Sequence, residues 1–183
     1  MLNIVLITAG IDHLSAQFHK LPGKPVAIIE YDDWDTHQTI RYFLRKTVRY
    51  IWPDRYPDCE AYCRKHGFEY IKVKKCNGGT IGKILERYDT NLAVTYNCPL
   101  IPREALGYTS HGEINLHDSL LPDYRGGNPL FWQIINNEDE VGCTVHYLTE
   151  KMDGGDILEK KAVTRPRFLH HKDLSYFVNA EIG

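Results

Sequence analysis

The sequence has no large excess of charge of either sign and no apolar run long enough to cross a bilayer. Its 22 basic and 24 acidic residues give a formal net charge of −2, which does not predict a main affinity for nucleic-acid backbone. Met1 is followed at once by an apolar, strand-like run, without the pattern of a signal peptide. We therefore expect a protein that neither spans nor inserts into a membrane.

Cysteine is also scarce, and its spacing is irregular. An odd count of five, without an export signal, favours reduced thiols and a cytoplasmic location. Cys59, Cys63 and His66 would share one face of a helix, but their spacing matches no established zinc motif and no clear fourth ligand follows. We therefore expect half-buried cysteines on an amphipathic helix and no bound metal.

The chain has neither an internal repeat nor a low-complexity segment, and its 183 residues correspond to about one domain. A chain of this length buries a sizeable core without disulfides or a structural metal. We expect residues 1–183 to form a single catalytic domain, the N-terminal part of a longer protein.

Short apolar, β-rich runs alternate with longer amphipathic segments. The predicted strands are 2–8, 25–30, 69–74, 91–96, 112–117, 141–149 and 156–164. The predicted helices are 36–51, 58–65, 80–87, 129–136 and a tail from 172. This alternation predicts an α/β fold, a Rossmann-like, doubly wound and mostly parallel sheet with helices on both faces. The last two strands, joined by a tight turn, are expected to form an antiparallel edge.

Two polar side chains stand out in the predicted strand 112–117. Residues i and i+2 of a strand point to the same face, so Asn115 and His117 project together while Ile114 and Leu116 pack the other way. An amide donor beside an imidazole suits stabilisation of an oxyanion and proton transfer. The alternative is that both side chains satisfy neighbouring backbone groups. The irregular segment 119–129 that follows favours the functional interpretation, because long loops in compact domains are often functional.

His117-x-Ser119-Leu120-Leu121-Pro122 resembles the signature of the folate-dependent formyltransferase family. The resemblance continues through Arg125-Gly126, Pro129 and Trp132. These residues resemble the segment that follows the signature in the family branches acting on sugars and on methionyl-tRNA. It extends to the segments 142–147 and 152–157, which resemble the strand-loop-strand unit that carries the family's catalytic aspartate. Together these motifs cover the chain from about residue 91 to residue 163.

The resemblance implies a catalytic role for Asn115, His117 and Asp153. The family moves a formyl group from 10-formyltetrahydrofolate to an amine, through a tetrahedral species with a developing oxyanion. The resemblance places Asn115 and a protonated His117 as donors to that oxyanion. It places Asp153 as the carboxylate that favours the charged imidazole and collects the amine proton. Gly154 and Gly155 would let the Asp153 loop approach ligand and backbone closely.

The resemblance also implies positions for the ligands. The donor 10-formyltetrahydrofolate is expected against the loop after strand 91–96 and against the loop that leads to Asp153. The residues implied there are Tyr96, Asn97, Cys98, Thr149, Glu150, Lys151 and Met152. Arg125 and Gly126 are implied in binding the acceptor substrate. A homodimer is compatible with the resemblance and is not required by it.

Several alternatives stay open at the level of sequence. The preferred acceptor is an amino sugar on a nucleotide carrier, and the alternatives are methionyl-tRNA, another small amine, or water in a formyl-folate hydrolase. A folate-binding domain without turnover is disfavoured by the retained triad. Glycinamide ribonucleotide is less favoured, because the turn at residues 8–13 has one glycine and an anionic Asp12, unlike a phosphate cradle. Asp118 adds negative charge beside His117, which would favour the imidazolium or attract a cationic amine.

Overall fold

The short apolar runs form a seven-stranded sheet in this computed structural model. The structure describes residues 1–10, 15–31, 58–74 and 78–169, together with residues 174, 177, 178 and 181. The strands are β1 (Asn3–Thr8), β2 (Lys24–Tyr31), β3 (Glu69–Val73), β4 (Leu92–Tyr96), β5 (Glu113–His117), β6 (Glu140–Tyr147) and β7 (Ile157–Thr164). All seven predicted strands are confirmed, with ends that differ by no more than two residues.

Three α-helices fall where the sequence predicts them: α1 (Cys59–His66), α2 (Gly78–Arg87) and α3 (Pro129–Ile135). The structure adds two short 3-10 helices that the sequence does not predict, Ser15–Lys20 and Arg103–Ala105. Helix α1 begins where the Asp58 side chain accepts a hydrogen bond from the Glu60 N–H, and it ends at Gly67, whose φ of 74° is left-handed. The predicted helix 36–51 lies outside the described residues. In the predicted tail helix, residues 174, 177 and 178 are helical.

The strand order is β3-β2-β1-β4-β5-β6-β7. Strands β1 to β5 are parallel, whereas β6 and β7 are antiparallel to their neighbours, which confirms the expected edge. The winding reverses between β1 and β4, because the chain first builds outward to β3 and then returns to the other side of β1. At such a switch point the carboxyl ends of the strands open a crevice in which ligands bind.

Helices cover both faces of the sheet. Helix α2 packs Ile81 and Leu85 on one face, and α1 packs Cys59, Tyr62 and Cys63 on the other. These two clusters fix the central strands, so the crevice at their carboxyl ends is built on rigid elements. Among the described helices, none has the length and apolar character needed to cross a membrane.

The cysteine pair of α1 belongs to this core. Cys59 and Cys63 are fully buried rather than half-buried, because α1 packs them directly against the sheet. Burial raises the pKa of the Cys63 thiol to about 12, so it is protonated at neutral pH. His66 instead stacks its ring on His19, with 4.2 Å between the ring centroids. In the described part of the chain, no group of three or more His, Cys, Asp or Glu side chains is arranged to hold a metal ion.

Candidate active site

Strand β5 presents two polar side chains at the crevice. Its alternation places Ile114 and Leu116 against the core under α1 and directs Asn115 and His117 to the opposite face, as the sequence predicts. Asn115 pairs in register with Thr95 of parallel β4 and with His146 of antiparallel β6. A polar row therefore crosses three adjacent strands at the floor of the crevice.

Hydrogen bonds along this row orient the Asn115 amide. The Thr95 hydroxyl donates to Asn115 Oδ1 at 2.8 Å, and Asn115 Nδ2 lies 3.1 Å from His146 Nε2. His146 Nδ1 lies 2.9 Å from the Tyr147 carbonyl oxygen, which only accepts, so Nδ1 is the protonated nitrogen and Nε2 accepts from Asn115. One Nδ2 proton of Asn115 thus points to His146, and the amide carries a second proton for a ligand.

His117 is buried and held from both ring nitrogens. Its Nε2 lies 2.9 Å from the Tyr124 carbonyl oxygen, so Nε2 is a hydrogen-bond donor. Its Nδ1 lies 3.6 Å from Asp153 Oδ2, which is an ion-pair distance rather than that of a direct hydrogen bond. The ring nitrogen that faces the Asp153 carboxylate is therefore Nδ1.

Asp153 lies between two imidazoles. Its Oδ2 faces His117, its Oδ1 lies 3.6 Å from His146 Nε2, and the Gly126 N–H donates to Oδ2 at 2.7 Å. Asp153 has a φ of 45°, a left-handed conformation that Asp tolerates better than most residues. The carboxylate is only 14% exposed, so its interactions with the two rings are weakly screened.

The glycines after Asp153 allow this placement. A Cβ at Gly155 would overlap the Tyr147 carbonyl oxygen, and a Cβ at Gly154 would lie 2.7 Å from Lys151 Cβ. The close approach to backbone that the sequence predicts is therefore present at Gly155. It brings the Asp153 loop tightly against the end of β6, where His146 stands.

A cavity of about 320 Å³ opens above the polar row. Asn115, His117 and Asp153 all line it. Of the implied ligand residues, seven also line it: Tyr96, Asn97, Cys98, Gly126, Thr149, Lys151 and Met152. The structure thus brings the implied catalytic and donor-binding segments together around one space.

Two implied ligand residues lie elsewhere, and a third is already engaged. Glu150 is turned away from the cavity and pairs with Arg103, with 3.0 Å between Oε1 and Nε. Arg125 is exposed and does not line the cavity. Gly126 lines it, but its N–H is given to Asp153. Neighbours on a loop point in different directions, which sequence similarity alone does not resolve.

Asp118 places negative charge on the cavity wall. It follows β5 directly, and the Tyr96 hydroxyl donates to its carboxylate at 3.1 Å. The Gln133 side-chain amide donates to the Asp118 carbonyl at 2.9 Å, which fixes the backbone at this point. The carboxylate is thus a held feature of the wall rather than a solvated side chain.

The sequence predicts no role for His146. It is fully buried and contacts two of the three implied catalytic residues, Asn115 and Asp153. The signal that identifies it is register: an antiparallel pairing of strands 112–117 and 141–149 sets His146 opposite Asn115. That pairing depends on the loop between the strands, and the motif pattern alone does not determine it.

The fold and this site together define an α/β protein in which an amide, two imidazoles and a carboxylate lie together beside a cavity at the topological switch point. The formyl transferase family model matches residues 70–172, more than half of the chain. The chain belongs to the formyl transferase family, which confirms the resemblance seen in the sequence.

Individual relatives agree with this assignment. Methionyl-tRNA formyltransferase of Halalkalibacterium halodurans is 37% identical over 108 residues, which cover 58% of this chain and 34% of that protein. The chain thus spans about a third of the length of this relative.

Solved structures show the same fold. Glycinamide ribonucleotide transformylase 1 from Symbiobacterium toebii matches with a TM-score of 0.77 and 20% identity, over 99% of this chain and 82% of that one. A sugar N-formyltransferase from a Shewanella species matches with a TM-score of 0.63 and 16% identity, over 98% of this chain and 64% of that one.

Proposed function

We propose that this chain transfers a formyl group from 10-formyltetrahydrofolate to a primary amine, as a single catalytic unit formed by residues 1–183. The observation that carries the proposal is the meeting of Asn115, His117 and Asp153 on the wall of one cavity. The three come from two separate segments of the chain, and a domain that only bound folate would have no need to hold them in one connected network.

The cavity suits the donor. Its volume is typical of small-molecule sites, and apolar side chains of Leu100, Ile101, Leu148 and Met152 form part of the wall beside loop backbone. Such a wall suits a flat heterocycle that needs apolar contact on its faces and hydrogen bonds at its edges. The residues proposed to hold the donor are Tyr96, Asn97, Cys98, Thr149, Lys151 and Met152.

When bound, 10-formyltetrahydrofolate supplies the formyl carbon, which forms a C–N bond to the amine and loses its bond to N10. Asn115 Nδ2 offers its second proton to the formyl oxygen as negative charge develops there. His117 Nδ1, when protonated, donates to the same oxygen, with Asp153 as its counter-charge. Asp153 takes the proton that the attacking amine loses, directly or through water, and that proton balances the one N10 gains on departure.

For the acceptor, we propose an amino sugar on a nucleotide carrier. Arg125 is exposed next to cavity-lining Gly126, and the proposed role of its guanidinium is to pair with the phosphates of such a carrier. Asp118 adds a carboxylate on the wall that attracts a cationic amine. The near-neutral charge of the chain supports a small acceptor rather than a polyanion.

Methionyl-tRNA is the second candidate acceptor. It is favoured by the similarity to methionyl-tRNA formyltransferase, although that similarity spans only a third of the relative. Binding to tRNA through phosphate contacts weakens steeply as salt is raised, whereas binding of a small amino sugar does not.

The test is a transfer assay with 10-formyltetrahydrofolate and two separate acceptors, a nucleotide-linked amino sugar and methionyl-tRNA, each at low and high salt. We expect an N-formylated sugar and tetrahydrofolate in equal amounts. A salt-sensitive reaction with methionyl-tRNA alone would move the proposal to the second acceptor. Formate released at the same rate with and without amine would replace transfer by hydrolysis.

A further inference from the structure

One short segment contacts both partners of the His117–Asp153 pair. In the segment 124–126, the Tyr124 carbonyl accepts a hydrogen bond from His117 Nε2 at 2.9 Å. The Gly126 N–H donates to Asp153 Oδ2 at 2.7 Å. Both residues have left-handed backbone, with φ of 59° at Tyr124 and 91° at Gly126. A non-glycine residue adopts this conformation only when its surroundings hold it there.

The Tyr124 side chain supplies that hold. Its hydroxyl donates to Glu138 Oε1 and accepts from Asn136 Nδ2 at 3.0 Å. Both partners belong to the turn after α3, so the hydroxyl ties the segment 124–126 to a second loop. The carboxylate partner also raises the pKa of the Tyr124 phenol, because ionising the phenol would break this hydrogen bond and place two negative charges together.

The second loop is itself anchored. Arg165, which is buried, donates through Nε to the Glu138 carbonyl at 2.6 Å and through a terminal nitrogen to Asn137 Oδ1 at 2.9 Å. The Glu138 N–H donates to the Gln133 carbonyl of α3 at 3.0 Å. The Glu138 carboxylate is therefore presented from a fixed backbone.

We infer that Tyr124 and Glu138 are positioning residues: their hydrogen bond sets the segment 124–126, and that segment holds His117 and Asp153 in their working orientation. This inference rests on the proposed function for its effect on catalysis. Its structural part, a held Nε2 proton on His117, is independent of any substrate. Neither side chain lines the cavity, so their influence passes through the Tyr124 carbonyl and the Gly126 N–H.

The test follows the Nε2 proton of His117 by nuclear magnetic resonance, with its signal assigned by its loss in His117→Asn. A hydrogen-bonded ring proton exchanges slowly with water. We expect Tyr124→Phe and Glu138→Ala to speed that exchange by roughly 2- to 10-fold, the equivalent of one ordinary hydrogen bond. Glu138→Gln keeps an acceptor for the phenol and should restore slow exchange.

A matched control lies four strands away. Tyr70 of β3 also donates its hydroxyl to a glutamate, Glu30 Oε2, at 2.5 Å. Tyr70→Phe removes the same kind of bond and should leave His117 exchange unchanged. If Tyr124→Phe and Glu138→Ala are folded and exchange at the wild-type rate, or if Tyr70→Phe has the same effect as they do, the inference is overturned.

Transfer kinetics separate this inference from the proposed function. Tyr124→Phe and Glu138→Ala should lower kcat by roughly 2- to 10-fold with little change in KM for the donor, because the donor loops are untouched. Altered proton exchange in a chain without transfer activity would reject the proposed function and keep the positioning role of the pair. A donor KM that rises with kcat unchanged would reject the positioning role and keep the proposed function.

Discussion

Two pairs of histidines in this molecule differ in what lies between their rings. The site pair, His117 and His146, has ring centroids 6.4 Å apart, and Asp153 lies 3.6 Å from a nitrogen of each ring. The other pair, His19 and His66, stacks at 4.2 Å with an angle of 22° between the ring planes. A neighbouring imidazolium disfavours a second positive charge, whereas a neighbouring carboxylate stabilises one. In the site pair that charge belongs to His117 alone, because His146 Nε2 accepts from Asn115. Histidines close together are therefore a candidate site only where a counter-charge is built in.

The stacked pair shows the electrostatic consequence. The pKa of His66 is lowered, chiefly by desolvation and then by the neighbouring His19 and Lys65. Tyr62 lies beneath the stack, with its hydroxyl 3.0 Å from His19 Nδ1. This cluster joins the 3-10 helix Ser15–Lys20 to α1 and serves packing, whereas the site pair faces the cavity.

The largest expected effect comes from removing the shared carboxylate. Asp153→Asn keeps the shape of the side chain and removes the counter-charge and proton acceptor, so kcat for formyl transfer should fall by roughly 10²- to 10⁴-fold. The matched control is Asp139→Asn, an exposed carboxylate that pairs with Arg167 outside the cavity. If Asp153→Asn transfers the formyl group at the wild-type rate, the carboxylate between His117 and His146 has no catalytic role. The site pair would then not differ in function from the stacked pair.

Each region contains a glycine whose substitution tests how tightly it is built. A Cβ at Gly155 would meet the Tyr147 carbonyl, so Gly155→Ala should lower the free energy of unfolding by roughly 1–3 kcal/mol and impair transfer as the Asp153 loop shifts. At Gly67 a Cβ has open space, and Gly67→Ala costs about 1 kcal/mol through its left-handed backbone alone. Urea unfolding measures both. If Gly155→Ala and Gly67→Ala lose the same free energy of unfolding and transfer is unchanged, the Asp153 loop is no more tightly packed than the end of α1.

The role of His146 gives a smaller effect. His146→Ala removes the acceptor for Asn115 Nδ2, so the amide loses one of its two orientating contacts, and kcat should fall by roughly 2- to 10-fold. Donor affinity should stay close to that of the wild type, which titration with a folate analogue checks. His66→Ala is the control from the other pair. If both variants retain full activity, His146 is a packing residue like His66.

The smallest effect concerns pH and the stacked pair. Because the pKa of His66 is lowered from 6.5 in the folded state, the unfolded chain takes up the proton first. Stability is therefore retained above pH 6.5 and is lost as the pH falls through the lower, folded-state pKa. The loss should be small, because the side chain is only partly buried. In a plot of the urea unfolding midpoint against pH, His66→Gln should reduce the slope below pH 6.5. A slope equal to that of the wild type would show that His66 is not the group responsible.

The sequence predicts the fold well because each element carries its own signal. Strand β5 alternates, α1 is capped by Asp58 and Gly67, and Pro129 opens α3. The segments that form the site are predicted for a similar reason, because each contains a sequence motif that resembles one of the family's. Transfer activity of the substituted proteins tests the proposed catalytic roles of Asn115, His117 and Asp153.

What the sequence does not reveal depends on geometry between segments. The contacts of His146 follow from the register of β5 with β6, and the Glu138 carboxylate reaches Tyr124 only because a loop returns after α3. The outward orientation of Arg125 and Glu150 is likewise set by loop conformation rather than by residue type. These contacts join segments that are distant in sequence, so no local sequence pattern predicts them.

A formyl-folate is proposed to bind in this cavity, beside a polar network that serves the chemistry of transfer. Isothermal titration with a non-hydrolysable formyl-folate analogue tests this proposal directly, on the wild type and on the Asn115→Ala/His117→Ala/Asp153→Ala variant. We predict one-to-one binding to both, because the loops at 96–98 and 149–152 remain in the variant while the groups for chemistry are gone. Absence of binding to folded wild-type protein would contradict the account.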